Sequence, residues 1–325
     1  VQAVSFLWYA SPIATITPYK LEFAMSDLLV HWAIFDDCRR LCQHDRHIEP
    51  LFARIIASEA EYARLGALSR GGSKFVPAVL HDARPQKEQA AADSLLARKL
   101  AFALGGITHY AADFVMKPLM SQLAQADWNA THHQMQGRAD GEKPTDAATI
   151  REISAYYDTH VFRQVYLSGQ AEPFNQFLVA NNASAPGQAL EAFIRSLFQR
   201  ALLASHTLSP DTGDIHAWLE RLIQLVQPLY LDIALYTQVF NHPDPAKMLA
   251  YQVETTFYQP ADPIILCARA IQNDQGITAA AIEHALAETA NASAYGRALA
   301  LAQRRLRQAS AFWRGETDET PHLKQ

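Results

Sequence analysis

Cysteine is scarce in this chain: three residues in 325, Cys38, Cys42 and Cys267. Three thiols so spaced make no disulfide framework, so packing must hold the core. Cys38 and Cys42 stand at i, i+4, on one face of a helix, and are read as reduced structural thiols, with a metal pair as the alternative. Basic excess is also missing. Lys and Arg number 28 against 33 Asp and Glu, for a formal charge of −5, so nucleic acid gains no whole-surface attraction. No run is long and apolar enough to span a bilayer. The opening VQAVSFLWYASPIATITP is apolar but has no basic region ahead of it, and reads poorly as a signal peptide. Together with the cysteine usage this points to the cytoplasm, with a processed N-terminus left open. Its arm VSFLWYA is suited to cover a groove or enter a neighbouring subunit, which makes an oligomer a partner expectation. Internal repeats and low-complexity linkers are absent too.

What is present is helical. Hydrophobic residues make up 49% and charged residues 19%; Ala and Leu dominate and β-branched runs are short. SDLLVHWAIFDDCRRLCQHD carries an apolar stripe with a 3.6-residue period, Ser26 as N-cap, and His31 within the stripe or at its edge. IEPLFARIIASEAEYARLGAL is expected to be a second helix, ended by Gly66. LSRGGSKFVPAVLHDARP, with its glycines and prolines, reads as an irregular loop. EQAAADSLLARKLAFALGGITHYAADFVM reads as a long helix, interrupted or tightly packed at Gly105-Gly106 and stopped before Pro118. Asp127 to Thr145 reads as a long polar loop, followed by DAATIREISAYYDTHVFRQVYL. Helical patterns continue after residue 170, and the tail GETDETPHLKQ reads as frayed. The expected fold is all-α, and no linker marks a cut between domains.

Two ionisable residues stand out in GGITHYAADFVMKP. His109 and Asp113 are one helical turn apart and can reach one metal ion or one another. Gly105, Gly106, Ala111 and Ala112 keep that helix thin, and a carboxylate buried among them is costly unless paired or metal-bound. His160 and Gln164 repeat the spacing with a neutral amide, a poorer ligand. His31, beside Trp32, reads as a satisfied core histidine with a ligand as the alternative. His81, at a loop end beside Asp82, and His132-His133, in the polar loop, read as structural and solvated residues respectively, with the same alternative. Lys117 and Arg70 lie near these segments and either face a phosphate or stay solvated.

The order of the pieces is a helix with His31, then LGALSRGG, a segment ending in LH, the ALGGITHYAAD helix, and a helix with YYDTH. It resembles the zinc-dependent phospholipase C family, whose all-α fold is shared with fungal zinc nucleases. The resemblance spans about residues 20 to 170, and FALGGITHYAADFVMKP is its most specific element. It implies a multi-helix bundle, with residues 1–170 as its core and 171–325 as further helices packed on it within one domain, binding zinc through His31, His81, His109, Asp113 and His160, with Asp113 also in the catalytic role. A phosphoester or phospholipid would be the substrate. The chain departs from the family at three places. GALSRGGSKF lacks a carboxylate, Gln164 stands where a Glu is usual, and no Trp begins the sequence, the first being Trp8. These departures imply one zinc or a reduced cluster, with Asp36, Asp37, Asp82 or Asp158 as substitute ligands. They also leave room for the alternative, a non-catalytic helical binding or scaffold module with a degenerate metal site.

Overall fold

The computed structural model describes residues 28–68, 72–90, 94–132, 147–167 and 235–323. Every regular element among them is helical. Ten α-helices are labelled in chain order: α1 Leu28–Cys42, α2 Pro50–Ser58, α3 Ala60–Leu68, α4 Gly72–Ala83, α5 Leu95–His132, α6 Ala147–Val161, α7 Pro245–Ala250, α8 Pro263–Gln272, α9 Ala279–Ala287 and α10 Ala294–Arg314. A further helical stretch covers 235–241. None of the described helices is long and apolar enough to cross a membrane.

Helix α5 is the axis of the packing. Residues 100–109 are buried on every side, as expected of a helix at the centre of a core rather than on its surface. Its main neighbours are α3, α10 and α4. The approach of α3 is backbone to backbone: a Cβ on Gly105 would lie 1.8 Å from the Ala63 carbonyl oxygen, and one on Gly66 1.9 Å from that of Phe102. Each glycine costs roughly 1 kcal/mol in helix propensity relative to alanine; here each provides space that no other residue leaves. The thin helix expected at Gly105-Gly106 is therefore a packing device, and the helix is not interrupted there.

Several boundaries differ from the sequence reading. Gly66 does not end a helix; it lies inside α3 and makes the contact just described. The expected second helix is instead two, α2 and α3, divided at Glu59. The segment read as an irregular loop forms α4. Phe75, Val76, Val79, Leu80 and Ala83 make a buried stripe there, and burying that stripe outweighs the weak helix preference of Gly and Pro. Pro77 lies inside α4, where it removes one backbone hydrogen bond. Helix α5 runs through Pro118 instead of stopping before it. Phe114, whose carbonyl loses its amide partner, and Pro118 are both exposed, so water can take the missing donor's place. The expected loop begins with helix up to His132; residues 133–146 lie outside the described residues, as do residues 1–27 with the N-terminal arm, Arg70, and the helices expected over 168–234. The tail is not frayed as far as it is described: Pro321 and Leu323 are buried, and residues 318–323 line a pocket with Pro77 and His81.

Buried carboxylates join the sequence-distant helices. Asp36 accepts two hydrogen bonds from Arg64, at 3.0 and 3.1 Å, and one from the Tyr166 hydroxyl at 2.9 Å. Asp37 accepts from Arg40 at 2.7 Å and from the Tyr295 hydroxyl at 2.8 Å, and also pairs with Arg269. Asp45 accepts from Gln303 at 2.7 Å and Arg307 at 2.6 Å. Burial and the adjacent Asp37 push the Tyr295 hydroxyl pKa well above its ordinary value, so it remains a donor. Asp158, fully buried on α6, accepts the Val30 amide of the first turn of α1 at 2.9 Å, satisfying a donor that the helix itself leaves without a partner.

Candidate metal centre

Helices α1 and α5 bring His31 beside His109. The two imidazoles stack with centroids 4.3 Å apart and planes 18° from parallel. Asp113, one turn along α5 from His109, faces both rings. Its Oδ1 lies 3.6 Å from His31 Nε2 and its Oδ2 3.3 Å from His109 Nε2. One ligand atom from each of the three residues lies within 4.8 Å of the others. Both histidines are buried, and the Asp113 side chain is 12% exposed.

The hydrogen bonds around the cluster decide what it can hold. His109 Nδ1 lies 2.8 Å from the Ala67 carbonyl oxygen. A carbonyl can only accept, so Nδ1 carries the proton, and Nε2 is the nitrogen turned toward Asp113. A lone pair and a carboxylate oxygen facing across 3.3 Å repel unless a proton or a metal cation stands between them. The Ala67 carbonyl also fixes the tautomer and ring orientation that a ligating histidine needs. Burial, then the nearby His109, lowers the His31 pKa to about 4 despite the attraction of Asp113; His31 is therefore a neutral imidazole at physiological pH, the form that binds metal. Burial disfavours ionisation of Asp113, but hydrogen bonding and charge from His109 and His31 outweigh it and hold the carboxyl well below the usual carboxylate range. Two imidazole nitrogens and one carboxylate oxygen at this spacing could hold a metal ion. The Lys117 ammonium lies 2.5 Å from Asp113 Oδ2.

The other residues singled out in the sequence have different surroundings. His81 is exposed on α4, its ring edge-on to Phe312 at 4.9 Å. His160 is buried on α6, its ring edge-on to Tyr258 at 5.5 Å. Neither belongs to the three-residue group formed by His31, His109 and Asp113. Gln164 is exposed: a π-turn over Phe162–Tyr166 follows His160 and changes the i, i+4 alignment that an uninterrupted α-helix would have kept. Of the carboxylates considered as substitute ligands, Asp36, Asp37 and Asp158 hold the helix contacts described above, and Asp82 is exposed at the end of α4. Cys38 and Cys42 are buried, free thiols, whose sulfurs approach Leu299 O and Gln303 Oε1 on α10.

His160 also gives the fold a dependence on pH. Burial lowers its pKa from 6.5 to about 4. The unfolded chain then takes up a proton on this residue below about pH 6.5, while the folded chain does so only below about pH 4; stability falls as pH drops through that window. Urea midpoints at pH 7 and pH 5 should show a smaller acid loss for His160→Gln than for the native chain, by about 2 kcal/mol. Equal losses in the two proteins would show that His160 does not contribute.

No family model, no curated protein and no solved structure matches this chain.

Proposed function

We propose that the chain is a metal-dependent phosphoester hydrolase with one zinc ion held by His31, His109 and Asp113. The observation that carries this reading is the convergence of two imidazoles and a carboxylate from two helices on one point. Zinc bound there would supply a Lewis acid that lowers the pKa of a coordinated water toward neutrality, making it a nucleophile for P–O hydrolysis. The chain's own residues do the rest. His109 is oriented by the Ala67 carbonyl, His31 is kept neutral by burial, and Asp113 supplies the negative charge. The resemblance to the zinc-dependent phospholipase C family supports the phosphoester as substrate class.

One observation favours the second reading, a non-catalytic helical module: Lys117 already neutralises Asp113, so the cluster can stand as a buried polar link between α1 and α5. The two are separated by the zinc content of protein purified without chelator, alongside hydrolysis of bis(p-nitrophenyl) phosphate. About one zinc per chain is expected, falling to near zero in Asp113→Asn and His109→Ala, with hydrolysis lost in parallel. A chain that holds zinc but hydrolyses no phosphoester belongs to the module.

A further inference from the structure

We propose that Lys117 is the built-in counter-ion of the Asp113 site: a divalent metal displaces it, and the freed ammonium then binds an anionic oxygen of the substrate. The second half rests on the phosphoester reading above. Lys117 Nζ lies 2.5 Å from Asp113 Oδ2, the same oxygen that stands 3.3 Å from His109 Nε2. The ammonium thus sits on the carboxylate oxygen that a metal bridging His109 and Asp113 would take. A zinc–oxygen bond is about 2.0–2.2 Å, and two cations that close on one oxygen repel strongly. The two are therefore alternatives.

The exposures place Lys117 on the solvent side of Asp113. Its side chain is 53% exposed and that of Asp113 12%, so the ammonium reaches the carboxylate from the solvent side. Its four-carbon stem is flexible, and α5 keeps its Cα one turn from Asp113. Once off the carboxylate, it remains a point charge at the solvent edge of the site. Lysine recognises phosphate in this way, without the fixed fork of arginine.

The test titrates zinc against a competing chromogenic chelator in the full chain, for the native protein, Lys117→Met and Lys117→Arg. Both substitutions lie on an exposed side chain. Removing the internal competitor should tighten zinc binding by about three- to tenfold in Lys117→Met, and Lys117→Arg should stay near the native value. With bis(p-nitrophenyl) phosphate, Lys117→Met should raise KM by about tenfold with a much smaller change in kcat, and Lys117→Arg should restore most of the difference. Zinc bound no more tightly by Lys117→Met overturns the counter-ion role, even where zinc binding and hydrolysis persist. Tighter zinc with an unchanged KM overturns the substrate contact. Failure of all three proteins to bind zinc overturns the metal reading itself and this proposal with it.

Discussion

Asp37→Asn is expected to cost about 3–5 kcal/mol of folding free energy, the usual range for breaking a buried ion pair from one side. The substitution keeps the side-chain volume, so the loss is electrostatic and creates no cavity. Asp37 is fully buried, and its two oxygens receive Arg40, Arg269 and the Tyr295 hydroxyl. An amide offers one acceptor where the carboxylate offers two, and turns an NH₂ toward groups that are themselves donors. The Arg40 and Arg269 side chains, only 17% and 18% exposed, keep their charges without the anion that balanced them. Glu152→Gln is the control. That residue pairs with Lys247 and the Tyr251 hydroxyl much closer to solvent, and its urea midpoint should move far less. An Asp37→Asn midpoint within about 1 kcal/mol of the native value would show that these arginines find water instead.

Gly105→Ala is the second large effect. A methyl group there would lie 1.8 Å from the Ala63 carbonyl oxygen and 2.9 Å from the Ala67 amide nitrogen. Both are backbone atoms and cannot turn aside, so α3 and α5 must separate. Overpacking of this kind costs about 1–3 kcal/mol and more where only backbone can yield; a loss at or above the top of that range is expected here. The separation also draws the Ala67 carbonyl away from His109 Nδ1, so zinc affinity should fall together with stability. Gly106→Ala should be milder, because the nearest atom, at 2.9 Å, is a Val76 methyl. Gly276→Ala meets nothing within 4 Å and should be neutral or slightly stabilising. Melting temperatures ranked Gly276→Ala, Gly106→Ala, Gly105→Ala, from highest to lowest, would confirm the scheme, and a Gly105→Ala protein that melts like the native one would sink it.

The difference between what was legible and what was not follows the range of the interaction. The helical course of α1 and α5 is written in their apolar periodicity. His109 and Asp113 share a face because four residues make about one turn. The close approach at Gly105 is legible for the same reason: small residues clustered on a helix imply a near neighbour. The identity of that neighbour, the turn of α3 from Ala63 to Ala67, carries no local mark, and Gly66, which meets Phe102 in the same approach, is easily mistaken for a helix end. Helix α4 was hidden because Gly and Pro mark turns only where no buried stripe overrides them, and its stripe from Phe75 to Ala83 does override them. The π-turn after His160 has no such signature, and without it Gln164 would have stayed on the same face. The place of His31 beside His109 is an expectation of the resemblance alone, which groups His81 and His160 with them as well; nothing in the spacing of residues 31 and 109 specifies contact. The partners of Asp36 and Asp37 lie outside local pattern altogether: a carboxylate does not name its arginine.

Those carboxylates also impose an order on the birth of the protein. Tyr295 reaches Asp37 across 258 residues, Gln303 reaches Asp45 across 258, and the Ser310 hydroxyl meets the Glu49 amide across 261. At synthesis rates of about 5–20 residues per second, on the order of ten to fifty seconds pass between the emergence of α1 and that of α10. Through most of that interval Asp37 has only Arg40 of its own helix, and Asp45, just beyond α1, lacks both Gln303 and Arg307 and cannot be buried without leaving its charge uncompensated. This corner of the core therefore closes only once α10 has emerged.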